Sequence, residues 1–198
     1  NIPSTHIWGA EAEATWRLLK NHLELGLNLT TLDGEFPEHY LALDRRDADA
    51  AGAAAIASGA APYEWSPEWF AARGSATRDV KDNTPPNLPK LSGGANATWY
   101  QGIGSVGMLT SRVEYLYRGD YEARIFNADV DKVPSYGQWN LFVQYESQAQ
   151  PWRVWMTATN LFDKDGVVGR YVDPYGSGVA SNQYIAPRQL VFNFGYSF

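Results

Sequence analysis

The chain has 198 residues, 44% of them hydrophobic, enough to build a domain, and its net charge of -6 without basic clusters argues against a nucleic acid partner. Cys 0 excludes disulfides and cysteine-held metals. No apolar run reaches the roughly 18 residues that a membrane helix needs. Strands hide their apolar content in alternation, so the mean hydropathy of -0.38 leaves a membrane β-barrel open.

Residues 8–18 alternate strictly. Trp8, Ala10, Ala12, Ala14, Trp16 and Leu18 fall on one face, and Gly9, Glu11, Glu13, Thr15 and Arg17 on the other. Lys20-Asn21-His22 is polar and short, which predicts a tight turn. Leu23, Leu25, Leu27, Leu29 and Thr31 then alternate with Glu24, Gly26, Asn28 and Thr30, predicting an antiparallel return strand. Residues 33–89 break the pattern. Asp44 can cap an Ala-rich helix that stops near Gly59, with Gly52 weakening it, and Ser66-Pro67-Glu68 starts a second helix that ends at Gly74. A loop of this length in a compact domain is expected to be functional.

The third strand spans 91–100, with Leu91, Ala95, Ala97 and Trp99 set against Ser92, Asn96, Thr98 and Tyr100. The fourth spans about 108–118, and its second face is charged: Arg112, Glu114 and Arg118 oppose Leu109, Val113, Tyr115 and Tyr117. A fifth strand carries Trp139, Leu141, Val143 and Tyr145, with Phe142 the exception on the polar face. A sixth carries Trp152, Val154, Met156 and Ala158 opposite Arg153, Trp155, Thr157 and Thr159. The last stretch places Leu190, Phe192, Phe194, Tyr196 and Phe198 on one face. Strands that cross a bilayer need about 9–11 residues with this alternation.

Connections alternate short (20–22, 101–105, 147–151) with long or medium (33–89, 119–134, 163–184), as in outer-membrane barrels, which pair short periplasmic turns with long extracellular loops. Trp16, Trp99, Tyr145, Trp152 and Phe198 lie beside the short-turn end, and Trp8, Tyr115, Tyr117 and Trp139 toward the other, like two interfacial girdles. A soluble β-sandwich also alternates, but with shorter strands and mid-core aromatics. The expected fold is therefore all-β: a transmembrane antiparallel β-barrel segment of about seven strands.

Gly102-Ile-Gly-Ser-Val-Gly107 satisfies the dinucleotide fingerprint G-x-G-x-x-G, but a strand pattern follows where a helix is required, so a turn is the better reading. Asn127-Ala-Asp-Val-Asp131 opens like a calcium loop, yet Lys132 stands where the turn glycine belongs and Gln138 where the bidentate Glu belongs. A solvated acidic loop fits better, with opportunistic calcium binding left open. His6, His22 and His39 have no metal-ligand spacing, and no triad constellation is visible, so neither a cofactor nor enzyme activity is expected.

Four segments, Gly9-Ala-Glu-Ala-Glu13, Val133-Pro-Ser-Tyr-Gly137, Thr159-Asn-Leu-Phe-Asp-Lys164 and Tyr184-Ile-Ala-Pro-Arg-Gln189, together resemble the TonB-dependent outer-membrane receptors. The resemblance implies a 22-stranded barrel around an N-terminal plug domain, with residues 1–198 as its C-terminal part and the plug and earlier strands outside this sequence. It implies TonB-driven import across the bacterial outer membrane of a scarce small-molecule ligand, a ferric siderophore or other iron complex being the family's usual cargo. Partners would be outer-membrane lipid, the missing plug and strands, and the TonB complex. A passive porin or a receptor for a carbohydrate or other nutrient remains the alternative. Loop aromatics Tyr63, Trp65, Trp69, Phe70, Tyr121, Phe126, Tyr171 and Tyr175 are the ligand candidates, because exposed rings need a reason. Glu11, Glu13, Arg17, Arg112, Glu114, Arg118 and Arg153 are expected to line the lumen. A seven-stranded piece cannot close by itself, so the first and last strands are expected as bare edges.

Overall fold

The computed structural model describes residues 4–173 and 179–198. Strands β1 (His6–Leu18) and β2 (Leu23–Glu35) form a hairpin whose chain continues through β3 (Leu41–Leu43), α1 (Arg45–Ala57), α2 (Pro67–Ser75) and β4 (Thr77–Asp79). Then come β5 (Leu91–Ile103), β6 (Gly107–Arg118), β7 (Tyr121–Glu122), β8 (Lys132–Val133), β9 (Tyr136–Ser147), β10 (Trp152–Thr159), β11 (Val167–Val172), β12 (Ala180–Tyr184) and β13 (Gln189–Tyr196). The main sheet has seven strands in the order β1-β2-β5-β6-β9-β10-β13. Every neighbour is antiparallel, and β1 and β13 do not pair with each other, so the sheet is open with those two as edges.

The register carries one apolar face across all seven strands. Ala14 lies opposite Leu27, Leu27 opposite Ala95, Ala95 opposite Tyr115, and Tyr115 opposite Trp139. Nearer the turns, Val143 lies opposite Met156 and Met156 opposite Phe192. The opposite face runs through Arg17, Glu24, Thr98 and Arg112, then Phe142 and Thr157. Among the described residues nothing covers the apolar face: Phe192 is 74% exposed and Trp16 and Leu27 are also exposed. Buried hydrophobics collect instead beyond the sheet, around Ala55, Ala61 and Trp69, around Tyr121, Val133 and Val167, and at Phe36 and Val80. A sheet with a bare apolar face and its hydrophobic core clusters among its connections matches a fold whose solvent at mid-height is lipid.

The expected strands all form, with shifted ends. β1 and β2 run past the alternation to His6 and Glu35, because the ladder His6–Glu35, Ile7–Gly34, Trp8–Asp33 needs only backbone groups once the side chains leave the apolar zone. β5 likewise continues to Ile103, so the Gly-rich turn tightens to 104–106, with Gly104 at φ +54 and Val106 N donating to Ile103 O. Both helices start as the caps predict. The Asp44 carboxylate accepts from Arg46 N, and Ser66 Oγ accepts from Trp69 N with Pro67 in the first turn. Gly52 is a packing requirement rather than a weakness: a Cβ there would stand 2.7 Å from Trp69 Nε1. The small two-stranded pairs β3–β4, β7–β8 and β11–β12 lie inside segments read as loops.

Two of the family-like segments hold each other. Asn160, at φ 49 and buried, donates from Nδ2 to Lys164 O and Ala186 O and accepts at Oδ1 from Lys164 N. Asp163 Oδ1 accepts from Arg188 N at 2.8 Å. The side chains therefore extend the tie between the exit of β10 and the entry of β13 past the last ladder pair, Thr159–Gln189.

Candidate functional site

The long connections fold onto one another at one end of the sheet, and the start of α1 is their hub. Asp44 caps the helix and also accepts from Arg124 Nη1 at 3.1 Å and Nη2 at 3.4 Å. Arg124 Nε reaches Asp131 Oδ1 at 2.5 Å, while Asp131 Oδ2 accepts from Ala128 N at 3.0 Å. Both carboxylates are buried, Asp131 fully. Burial draws the Arg124 pKa down, but the bonds to Asp131 and Asp44 more than offset this and leave it above its ordinary value. Further along α1, Asp47 pairs with Arg78 and Asp49 with Arg73. The Arg78 hydrogen bond holds the Asp47 carboxyl below its ordinary value against the opposing effect of burial.

Asn127 ties the same two connections together. Its Oδ1 accepts from Thr84 N at 2.7 Å and its Nδ2 donates to Thr84 O at 2.9 Å, and Asn83 Nδ2 donates to Ile125 O at 2.8 Å. The third connection joins through β11. Arg170 Nη1 donates to the carbonyls of Val130 at 3.0 Å and Lys132 at 2.6 Å, and Arg118 and the Tyr121 hydroxyl both donate to Val168 O. Neither Arg118 nor Arg170 has a carboxylate partner among the described residues. Glu122 Oε2 is buried without a hydrogen-bond partner, and burial first, then the Asp131 charge, pushes the Glu122 pKa up. On β4, the hydrogen bond from His39 Nδ1, helped by the backbone amides of Lys81 and Tyr40, lowers Asp79 to about 2. A polar cleft of about 690 Å³ lies between α1 and residues 127–130, lined by Arg46, Asp47, Arg78 and Asp129.

The polar face of the sheet carries a concavity of about 530 Å³, lined among others by Glu24, Thr98, Tyr100, Arg112, Glu114 and Phe142. The register puts all seven charged candidates on this face. Arg17 pairs with Glu24 at 2.9 Å, and Arg112 with Glu114 at 2.8 Å. Arg153 lies over Trp155 at 5.2 Å. Glu11 and Glu13 are exposed and unpaired among the described residues. Arg118 departs from a pure lining role, since its guanidinium turns up to Val168 and over the Tyr121 ring at 4.1 Å.

The aromatic candidates divide. Tyr63, Trp65, Phe70 and Tyr171 are exposed, at 63%, 69%, 51% and 58%. Trp69 and Tyr121 are not: at 8% and 5% they are core, Trp69 packing on Ala55 and Ala61 beneath Arg73, and Tyr121 packing on Val133 and Val167. The expectation that these two rings face a ligand is corrected, because the connections they stand on fold into a cap with its own core. Phe126 is partly covered, with the Arg124 guanidinium 5.1 Å from its ring centre, and Tyr175 lies outside the described residues. Calcium at 127–131 also loses its basis: Asp131 is held by Arg124, Asn127 by Thr84, and no group of three or more His, Cys, Asp or Glu able to hold a metal occurs among the described residues. The sequence offered no reading of Arg124 or Arg170, and Asn127 stood out there only as the start of a calcium-like stretch. The one available signal was Asp44, visible as a cap but not as an ion-pair partner.

The β-barrel model of the TonB-dependent receptor-like family matches residues 1–161. Among solved structures, the ferric yersiniabactin uptake receptor FyuA from Yersinia pestis superposes with a TM-score of 0.66 at 16% identity, covering 96% of this chain and 23% of that one. The siderophore receptor PiuA from Acinetobacter baumannii gives 0.65 at 15% identity, covering 97% of this chain and 22% of that one. At such identities the likeness is one of fold, and the chain spans less than a quarter of either receptor. No curated protein sequence matches the chain. With a family match over 161 of 198 residues and an open antiparallel sheet of the right facing, the chain belongs to the TonB-dependent receptor family, as part of its β-barrel.

Proposed function

We propose that the protein is an outer-membrane receptor that captures an iron chelate at its outward cap and imports it with TonB-coupled energy. The observation that carries this is the family match together with a cap locked into one body by Arg124, Asn127 and Arg170. A passive pore has no need of a preassembled cap, whereas a selective receptor does, since ligand capture is strongest on a preorganised surface. The solved siderophore receptors of like fold support iron as the cargo. The bare edges β1 and β13 are completed by other strands of the same receptor, because unpaired backbone groups in lipid cost several kcal/mol each. The polar face with Glu11, Glu13, Arg17, Arg112, Glu114 and Arg153 then lines the lumen and meets the plug.

Capture of the chelate is assigned to Tyr171, next in sequence to Arg170, and to Phe126, whose ring lies under the Arg124 guanidinium; Arg118 and Arg170 have no carboxylate partner among the described residues. Ferric catecholate chelates are anionic and carry aromatic rings, which suits protein rings near guanidinium groups whose charge no carboxylate neutralises. The test is uptake of labelled ferric chelates by cells with and without this receptor, and with TonB inactivated. Uptake that needs both supports the reading; uptake indifferent to either removes it. Tyr171→Ala with Arg170→Gln should lower uptake by about tenfold with the barrel still folded.

A further inference from the structure

We propose that the aromatic surface formed by Tyr63, Trp65 and Phe70 on the helical hairpin is a docking site for a basic segment of a protein partner, distinct from the chelate site. Trp65, Trp69 and Phe70 pack as one cluster, with ring centres 5.3, 6.0 and 5.1 Å apart. The cluster is anchored from beneath: Trp69 is core, Arg73 lies 4.3 Å from its ring centre, and Arg73 is itself paired with Asp49. Trp65 and Phe70 therefore project from a rigid base while staying 69% and 51% exposed, with Tyr63 at 63%. Such exposure fits a flat interface centred on large rings.

Charge selects the occupant. Glu64 and Glu68, adjacent in sequence to these rings, are exposed and have no ion pair among the described residues, while Arg73, the basic residue of α2, is already engaged over the Trp69 ring and with Asp49. An aromatic platform with free carboxylates attracts arginine and lysine through both ring faces and charge, and repels an anionic chelate. The proposal rests on family membership and the outward orientation of the cap, and it does not depend on which ligand is imported.

The test uses the full-length receptor in detergent, titrated at physiological salt with a labelled peptide alternating arginine and glycine, and with its glutamate counterpart. The arginine peptide should bind and the glutamate peptide should not. Trp65→Ala and Phe70→Ala should each weaken binding by about tenfold, and Glu64→Gln with Glu68→Gln by about as much. Glu38→Gln with Asp129→Asn, an exposed pair elsewhere in the cap, should leave binding unchanged. Trp65 is exposed but packs on the core ring of Trp69, so thermal unfolding of each variant is measured alongside, and only variants that unfold as the parent does are compared. Equal loss from the Glu38 and Asp129 control, or full binding by Trp65→Ala, would reduce the attraction to bulk charge and overturn the proposal. Binding to purified receptor without binding to intact cells would overturn it as well, by denying the platform an outside partner. Chelate uptake measured in the same Trp65→Ala strain separates this result from the transport reading: it should be unaffected.

Discussion

The sheet and the cap of this molecule follow opposite rules. On the sheet, Phe192, Phe194 and Trp16 stand exposed while Glu24, Arg112 and Glu114 gather on the concave side; in the cap, Trp69, Val80 and Val133 are buried, and Asp44 and Asp131 are buried with them, both paired with the half-buried Arg124. The difference teaches that each region is built for its own solvent. Lipid asks the sheet only for an apolar outer face and complete backbone pairing, whereas water forces the cap to form a core and to neutralise the charges it encloses.

Substitutions should separate the two. The largest effect is expected from Arg124→Ala, which strands the buried carboxylates of Asp44 and Asp131 at a cost of about 3–5 kcal/mol to the cap. Hydrogen exchange should rise across residues 36–89 and 120–133 with the sheet still protected; loss of protection in β5 or β6 would mean that cap and sheet are one cooperative unit. Next, Ala12→Arg puts a charge at mid-height on the apolar face for about 2–4 kcal/mol, while Glu13→Arg, opposite Asn28 on the polar face, should be tolerated. Comparing folded yield in lipid bilayers reads the facing directly, and equal yields would break it. Ser66→Ala removes the cap that accepts from Trp69 N and should cost about 1 kcal/mol, seen as faster proteolysis near α2 but unchanged barrel unfolding.

The smallest effects are those of pH, and they have opposite signs. Asp79 is held at about 2 by His39, so its contribution to the β3–β4 pair is present above the ordinary carboxylate range and lost as pH falls toward 2. Asp79→Asn should abolish that acid-side loss of exchange protection at Tyr40. Glu122 is raised by burial and by Asp131, so its penalty is absent at acid pH and grows as pH rises through its elevated value. Glu122→Gln should therefore firm the β7–β8 pair at neutral pH and make no difference in acid; destabilisation at neutral pH would show that the carboxylate has a partner.

Strand facing, strand order, the open edges and both helix starts were legible because each depends on neighbours near in sequence. Period-two alternation set Glu11, Glu13 and Arg17 against Trp8, Ala10 and Ala12; hairpin turns ordered the strands; and Asp44 and Ser66 sit one residue before the helices they cap. Which loop aromatics stay exposed was not legible. Trp65 and Trp69 are four residues apart in like surroundings, and only the packing of α2 against Gly52 of α1, with Arg73 over the Trp69 ring, turns one inward and leaves the other out. The Arg124 bridge joins residues 80 apart in sequence, and the bonds of Arg170 to Val130 and Lys132 span 40 and 38. Pairings at that separation leave no periodic trace in a sequence, because they are chosen by where the folded connections meet rather than by the residues beside them.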